Sequence, residues 1–247
     1  MSPNESRSKS ANDTIETELA VAEVVRAFNP CEDDAPIHGV TFDGKHVWFA
    51  RNDELIAFDP ATEKIVQRLE IPGASAGTAF DGEHLYQIAK GEILVIAPSD
   101  GRVVRKMPAP GKGQDSGLAW ADGHLWVGQY KDSKILEIDA KTGEIVKTLS
   151  SDRFVTGVSC VAGELWHGVS GDGKTPELRH LRSDGSVEET LTVPVDRISG
   201  VERTKSGDFW CGDQGKLHLV RKKISGTNSG SMSKDGLSVS RGSAPRT

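Results

Sequence analysis

Residues 117–149 read GLAWADGHLWVGQYKDSKILEIDAKTGEIVKTL, and they hold four short strands and three turns in one unit. The runs are Gly117–Trp120, His124–Tyr130, Lys134–Asp139 and Glu144–Leu149. Asp122-Gly123 and Thr142-Gly143 separate the first and last pairs, because glycine accepts a positive φ and Asp tolerates one. The third run, with Ile135, Leu136 and Ile138, is too short for a helix and suits a buried strand.

The unit recurs along the chain. The glycine that opens it returns as Gly39, Gly77, Gly117, Gly157 and Gly200, in steps of 38, 40, 40 and 43 residues. An aromatic follows nine residues later at Trp48, Tyr86, Trp126 and Trp166, and ten later at Trp210. The third strand returns as Leu55–Phe58, Ile93–Ile96, Leu178–Leu181 and Leu217–Val220. A period near 40 with four strands per repeat is the mark of a β-propeller blade. The last repeat lacks a fourth strand, whereas Glu23–Phe28 (EVVRAF) resembles the fourth strands KIVQRL, RVVRKM and EIVKTL. The sequence thus predicts an all-β, five-bladed β-propeller of four-stranded blades, closed by residues 23–28 completing the last blade. That arrangement pairs a strand edge that would otherwise stand open.

Composition narrows the partners. The chain has 247 residues, and its repeats run on without a linker, so one domain over 21–223 is expected. Residues 1–20 are polar and read as a flexible segment; 224–247 are Ser/Gly-rich and read as a disordered tail. A net charge of −6 argues against a nucleic-acid partner. Neither a secretory h-region nor a membrane-length apolar run is present, so no membrane partner and a cytoplasmic location are expected. Cys31, Cys160 and Cys211 form neither a disulfide framework nor a CxxC metal pattern.

In a propeller the first strands line the axis, and loops entering them share a face with loops leaving the second strands. The entries hold His38, Ala76, Ser116, Thr156 and Ser199; the exits hold Arg51, Lys90, Gln129, Tyr130, Ser170 and Asp213. Residues that depart from their column across blades are candidates. His38 stands among small residues, Gln87 and His167 in a partly apolar column, and Glu202 among Thr41, Ala79, Ala119 and Ser159. A carboxylate on an inner strand is costly without a partner. These columns predict a small-molecule site at the central channel mouth, with His38, His167 and Glu202 as catalytic residues. Arg51, Gln87, Gln129, Tyr130 and Asp213 are expected to bind the substrate. No metal ligand set and no cofactor is assigned, since GxSxG, HExxH, P-loop and GxGxxG motifs are all missing. The alternative is a non-catalytic ligand- or peptide-binding propeller with the same mouth.

Four segments, LYQIAK (85–90), SGLAWADGHLWVGQY (116–130), ILEIDAKTGEIV (135–146) and VTGVSCVAGELWHG (155–168), resemble the glutamine cyclotransferase-like family of five-bladed propellers. Streptogramin-lyase-like propellers are similar in the repeats too, which adds a metal-dependent lyase as a further alternative. The first resemblance implies cyclisation of N-terminal glutamine to pyroglutamate with loss of ammonia. The family's Gln-Gly-Leu entry corresponds here to His38-Gly39-Val40, and its Tyr-Glu-Ser-Thr-Gly run to Trp48-Phe49-Ala50-Arg51-Asn52. Phe49 stands in place of the family glutamate, and Ser75-Ala76-Gly77 replaces a Gly-Glu-Gly-like entry. The resemblance therefore implies a relative with altered chemistry.

Overall fold

A computed structural model describes residues 18–224, and among these every regular element is a β-strand. Strand β1 (Glu18–Phe28) comes first. The next four, β2 (Val40–Phe42), β3 (Val47–Arg51), β4 (Glu54–Asp59) and β5 (Lys64–Glu70), form one antiparallel sheet in that order. A second sheet holds β6 (Ala74–Phe80), β7 (Leu85–Ala89), β8 (Glu92–Ile96) and β9 (Val103–Pro108). A third holds β10 (Asp115–Ala121), β11 (His124–Gln129), β12 (Lys134–Asp139) and β13 (Ile145–Ser150). The fourth runs β14 (Val155–Val161), β15 (Glu164–Val169), β16 (Glu177–Leu181), β17 (Val187–Thr192), then β1, and then in reverse β20 (Leu217–Lys222), β19 (Phe209–Gly212) and β18 (Val201–Arg203).

The N-terminal strand pairs antiparallel with β20 from Ala22 to Phe28 and parallel with β17 from Glu18 to Val21. Residues 18–20 therefore belong to a strand, which corrects the reading of 1–20 as one flexible segment. Backbone pairing with Glu189–Leu191 holds them. The proposed tail beyond residue 224 lies outside the described residues.

Burial follows strand position. Every residue of β3 and of β7 is buried, because these strands have a neighbouring sheet on both faces. The outer strands β5, β9 and β13 each bury one side chain fully, Leu69, Met107 and Leu149. The repeated aromatics are core residues whose polar tips tie down the preceding turn. Trp48 Nε1 donates to Asp43 Oδ2 at 2.8 Å, and the Tyr86 hydroxyl donates to Asp81 Oδ2 at 2.9 Å. Burial, together with Asp81, pushes the Tyr86 phenol up to about 12.

The recurring glycines have a steric cause. A Cβ on Gly117 would lie 2.7 Å from Val158 N, and one on Gly157 2.7 Å from Val201 N. Those on Gly39, Gly77 and Gly200 would press still closer on the backbones at Ala76, Leu118 and His38. Strands β2, β6, β10, β14 and β18 each touch the next, and β18 touches β2. The five glycines thus form a waist with no room for a water between them.

Candidate functional site

The loops on one side of the glycine waist enclose a cavity of about 400 Å³. All five entry residues, His38, Ala76, Ser116, Thr156 and Ser199, line it, as do Tyr130 and Ser170 from the second-strand exits. Each entry residue immediately precedes a waist glycine, so the close strand approach that requires glycine also brings these five positions together. Ser116 Oγ donates to Val155 O at 2.6 Å, and Ser199 Oγ donates to Ile37 O, so both stitch neighbouring sheets at the rim.

Three groups give the cavity its chemistry. His38 is half-buried, its backbone N–H donates to Ala50 O at 3.0 Å, and its imidazole makes no hydrogen bond among the described residues. Burial pulls its pKa below the ordinary imidazole value, so the ring is neutral at neutral pH. Asp115 is buried; its Oδ2 accepts from Gly111 N–H at 3.0 Å, while Oδ1 has no partner of normal geometry. Burial raises its pKa against the opposing pull of the Gly111 N–H and the Gln129 side chain. Arg197 is exposed on the cavity wall and brings a cation. Thr156 Oγ1 is buried without a partner, and the Tyr130 hydroxyl hangs directly over Gly171, where a side chain would collide with it.

The Gly171 loop is fixed from behind. Arg153 is buried and grips Asp172 through two hydrogen bonds of 2.7 Å, donates to Thr175 O at 3.1 Å and meets Glu177 at 3.0 Å. The Arg153 hydrogen bonds hold the Asp172 carboxyl well below the usual range.

Of the eight residues expected around this mouth, only His38 and Tyr130 line the cavity. Gln129 stands one layer back, beside Asp115. Gln87 is fully buried, accepting from Thr78 Oγ1 at 2.6 Å and donating to Ile88 O at 2.8 Å, so it braces the waist. Arg51 is buried in an ion pair with Asp33. Asp213 lies 3.6 Å from His218 Nε2; burial raises its pKa, but the bonds to His218 and to the Gln214 backbone outweigh this and leave it lowered. His167 is buried, with Nδ1 unpartnered and Nε2 3.5 Å from Ser151 Oγ. Burial, helped by Arg179, pushes it down to about 3. Glu202 lies beyond the waist, in a cavity at the opposite end of the axis.

The grouping of His38, His167 and Glu202 as one reaction centre is therefore corrected. A strand advances about 3.3 Å per residue, so a residue two places after the waist glycine faces the other mouth, while one just before it faces this one. Asp115 was missed, although a column signal existed. Two places before each waist glycine stand Ile37, Ser75, Asp115, Val155 and Ile198, and the carboxylate breaks an otherwise mostly apolar set. Arg197 is the single cation among Pro36, Ala74, Gln114 and Phe154. Among the described residues, no three His, Cys, Asp or Glu side chains gather as a metal-ligand group. None of the described residues forms a helix long and apolar enough to cross a membrane.

Four-stranded antiparallel sheets set around an axial waist define a β-propeller fold. The glutaminyl cyclase of Myxococcus xanthus has a similar structure, with a TM-score of 0.69 over 84% of this chain and 98% of that one, at 18% identity. The WD40 propeller domain of Doa1 superposes with a TM-score of 0.49 over 75% of this chain and 64% of its own, also at 18% identity. No protein-family model and no curated protein matches the chain in sequence.

Proposed function

We propose that the chain is a five-bladed propeller whose ring is closed by β1, and that it acts on a small molecule at the mouth containing His38 and Asp115. The closed cycle of contacts among the five first strands and the β1–β20 pairing support the ring. The similarity to a glutaminyl cyclase over nearly its whole length supports the choice of chemistry. The observation that carries the reading is a buried, partly unpartnered carboxyl and an unbonded neutral imidazole in one cavity.

Cyclisation of an N-terminal glutamine forms a bond from the α-nitrogen to the side-chain amide carbon and breaks that carbon's bond to nitrogen, releasing ammonia. One proton must leave the attacking amine and one must reach the departing nitrogen. A neutral His38 takes up the first, and the Asp115 carboxyl relays a proton on to the departing nitrogen. The hydroxyls of Tyr130 and Thr156 are donors for the oxyanion that develops in between. In this reading Asp115 takes over the role of the carboxylate that Phe49 displaces.

The test is ammonia release from glutaminyl dipeptides by the full chain. His38→Ala and Asp115→Asn are each expected to lower kcat/KM by about 10²–10⁴-fold with the fold intact by circular dichroism. Saturable binding of such dipeptides without ammonia release would overturn catalysis and leave a binding propeller.

A further inference from the structure

The opposite mouth of the axis holds a second cavity, of about 590 Å³, that the reading above does not use. Its walls come from positions three residues after the waist glycines, Phe42, Phe80 and Trp120, all only partly buried. At its inner end sits Glu202, whose Oε2 accepts a single hydrogen bond, from Ser159 Oγ at 3.4 Å. The other acids there are committed. Asp43 accepts from the Trp48 indole and from the backbone of Lys45 and His46, and Asp81 accepts from the Tyr86 hydroxyl. The nearest cation in sequence, Arg203, lines the cavity but is engaged elsewhere, bonded to Glu164 at 3.0 Å and lying 5.9 Å over the Trp166 ring. Lys205 is exposed at the rim.

We propose that this second mouth binds an organic cation, an ammonium group on an apolar body, with the charge against the Glu202 carboxylate and the body against Phe42, Phe80 and Trp120. Aromatic faces attract a cation through their quadrupoles, most strongly where water is excluded. A carboxyl with no cation of its own in an apolar-walled cavity gains most from one arriving in a ligand. Burial pushes Glu202 up to about 8, so at neutral pH it is largely protonated when the cavity is empty. Binding therefore displaces a proton. The charged groups facing this space beside Glu202 are Asp43, Asp81, Arg203 and Lys205; Cys160 lies within reach of the Glu202 charge, but burial raises it to about 11, so it stays a thiol. The waist keeps this site separate from the His38–Asp115 mouth, so the proposal stands independently of the chemistry there.

The experiment is calorimetric titration of the full chain at neutral pH with choline, n-butylammonium and 3,3-dimethylbutan-1-ol, the uncharged isostere of choline. At least one cation is expected to bind saturably and more tightly than the alcohol, with heat that varies with buffer because a proton is released. Glu202→Gln, a folded variant by circular dichroism, is expected to weaken cation binding at least about tenfold and abolish the proton release. Trp120→Ala should weaken it as well, while Asp115→Asn should leave it unchanged. Absence of saturable binding by both cations overturns the proposal, as does an alcohol that binds equally well. Unchanged affinity in Glu202→Gln overturns it too.

Discussion

Truncating Phe28 to alanine tests whether the N-terminal strand is an integral part of the molecule. Its ring is 6% exposed, lies edge-on to Phe58 at 5.3 Å and meets Trp210 at 5.7 Å. It packs in one cluster with Ile37, Val47, Phe49, Ile56 and Leu217, so it joins the last of the described strands to the first full sheet. Removing a buried phenylalanine among such rigid neighbours costs about 3–4 kcal/mol, because strand backbones cannot close the gap. For a domain of this size that corresponds to a fall in Tm of roughly 6–16 °C. Val25, in the same strand, falls at a register shift and is 44% exposed, so Val25→Ala should cost within about 0.5 kcal/mol. Denaturant unfolding followed by tryptophan fluorescence, with both variants beside the parent, gives the comparison. If Phe28→Ala lies within about 1 kcal/mol of the parent, β1 is not part of the cooperative unit and the closure is wrong.

Gly77→Ala is expected to cost more than about 3 kcal/mol or to prevent folding, since its Cβ would meet the Gly117–Leu118 backbone, whereas Gly82→Ala, which faces open space at a positive φ, should cost only about 1–2 kcal/mol; urea melts compare them. The raised pKa of Glu202 means that stability is complete below the unfolded value near 4.5 and is lost as pH rises through about 8. Glu202→Gln should therefore match the parent near pH 4.5 and exceed it above pH 8 in melts across that range. The depressed pKa of Asp172 acts in the opposite sense, contributing stability above the unfolded value near 3.8 that is lost as pH falls. Asp172→Asn should thus cost about 1–3 kcal/mol at neutral pH, and the gap should narrow on acidification.

The repeat units were legible because their chemistry is local. Asp-Gly turns, short apolar runs and an aromatic at a fixed offset each announce themselves within a few residues. The waist glycines were legible as a period, although their cause, one backbone pressed on the next, appears only in three dimensions. Residues of the mouth were half legible. The entry column put His38 at this mouth, because the residue before each glycine faces one end of the axis. The inner-strand column mixed two ends, so Glu202 was assigned to the wrong one. Arg51 and Gln87 looked like free polar groups, yet an acid in a distant loop and a threonine on the adjacent strand occupy them. Such pairings have no signature in a single sequence. The extension of β1 to Glu18 was hidden for another reason. Its parallel half borders a strand some 170 residues away, and SANDTIETEL carries no apolar alternation to suggest it.

The position of β1 also sets an order of events during synthesis. Its partners, β17 and β20, are made long after it, so the first of the described strands cannot complete its pairing until the last of them has emerged. At about 5–20 residues per second the interval between Phe28 and Leu217 is on the order of 10–40 s. Until then Val24 and Phe28 lack their partners on β20, whereas the three sheets built from β2 to β13 have every strand they need once Ser150 has been made. A nascent chain that stalls before β20 should therefore carry ordered sheets with an unsatisfied N-terminal strand, a segment open to capture by chaperones or by another chain's free edge.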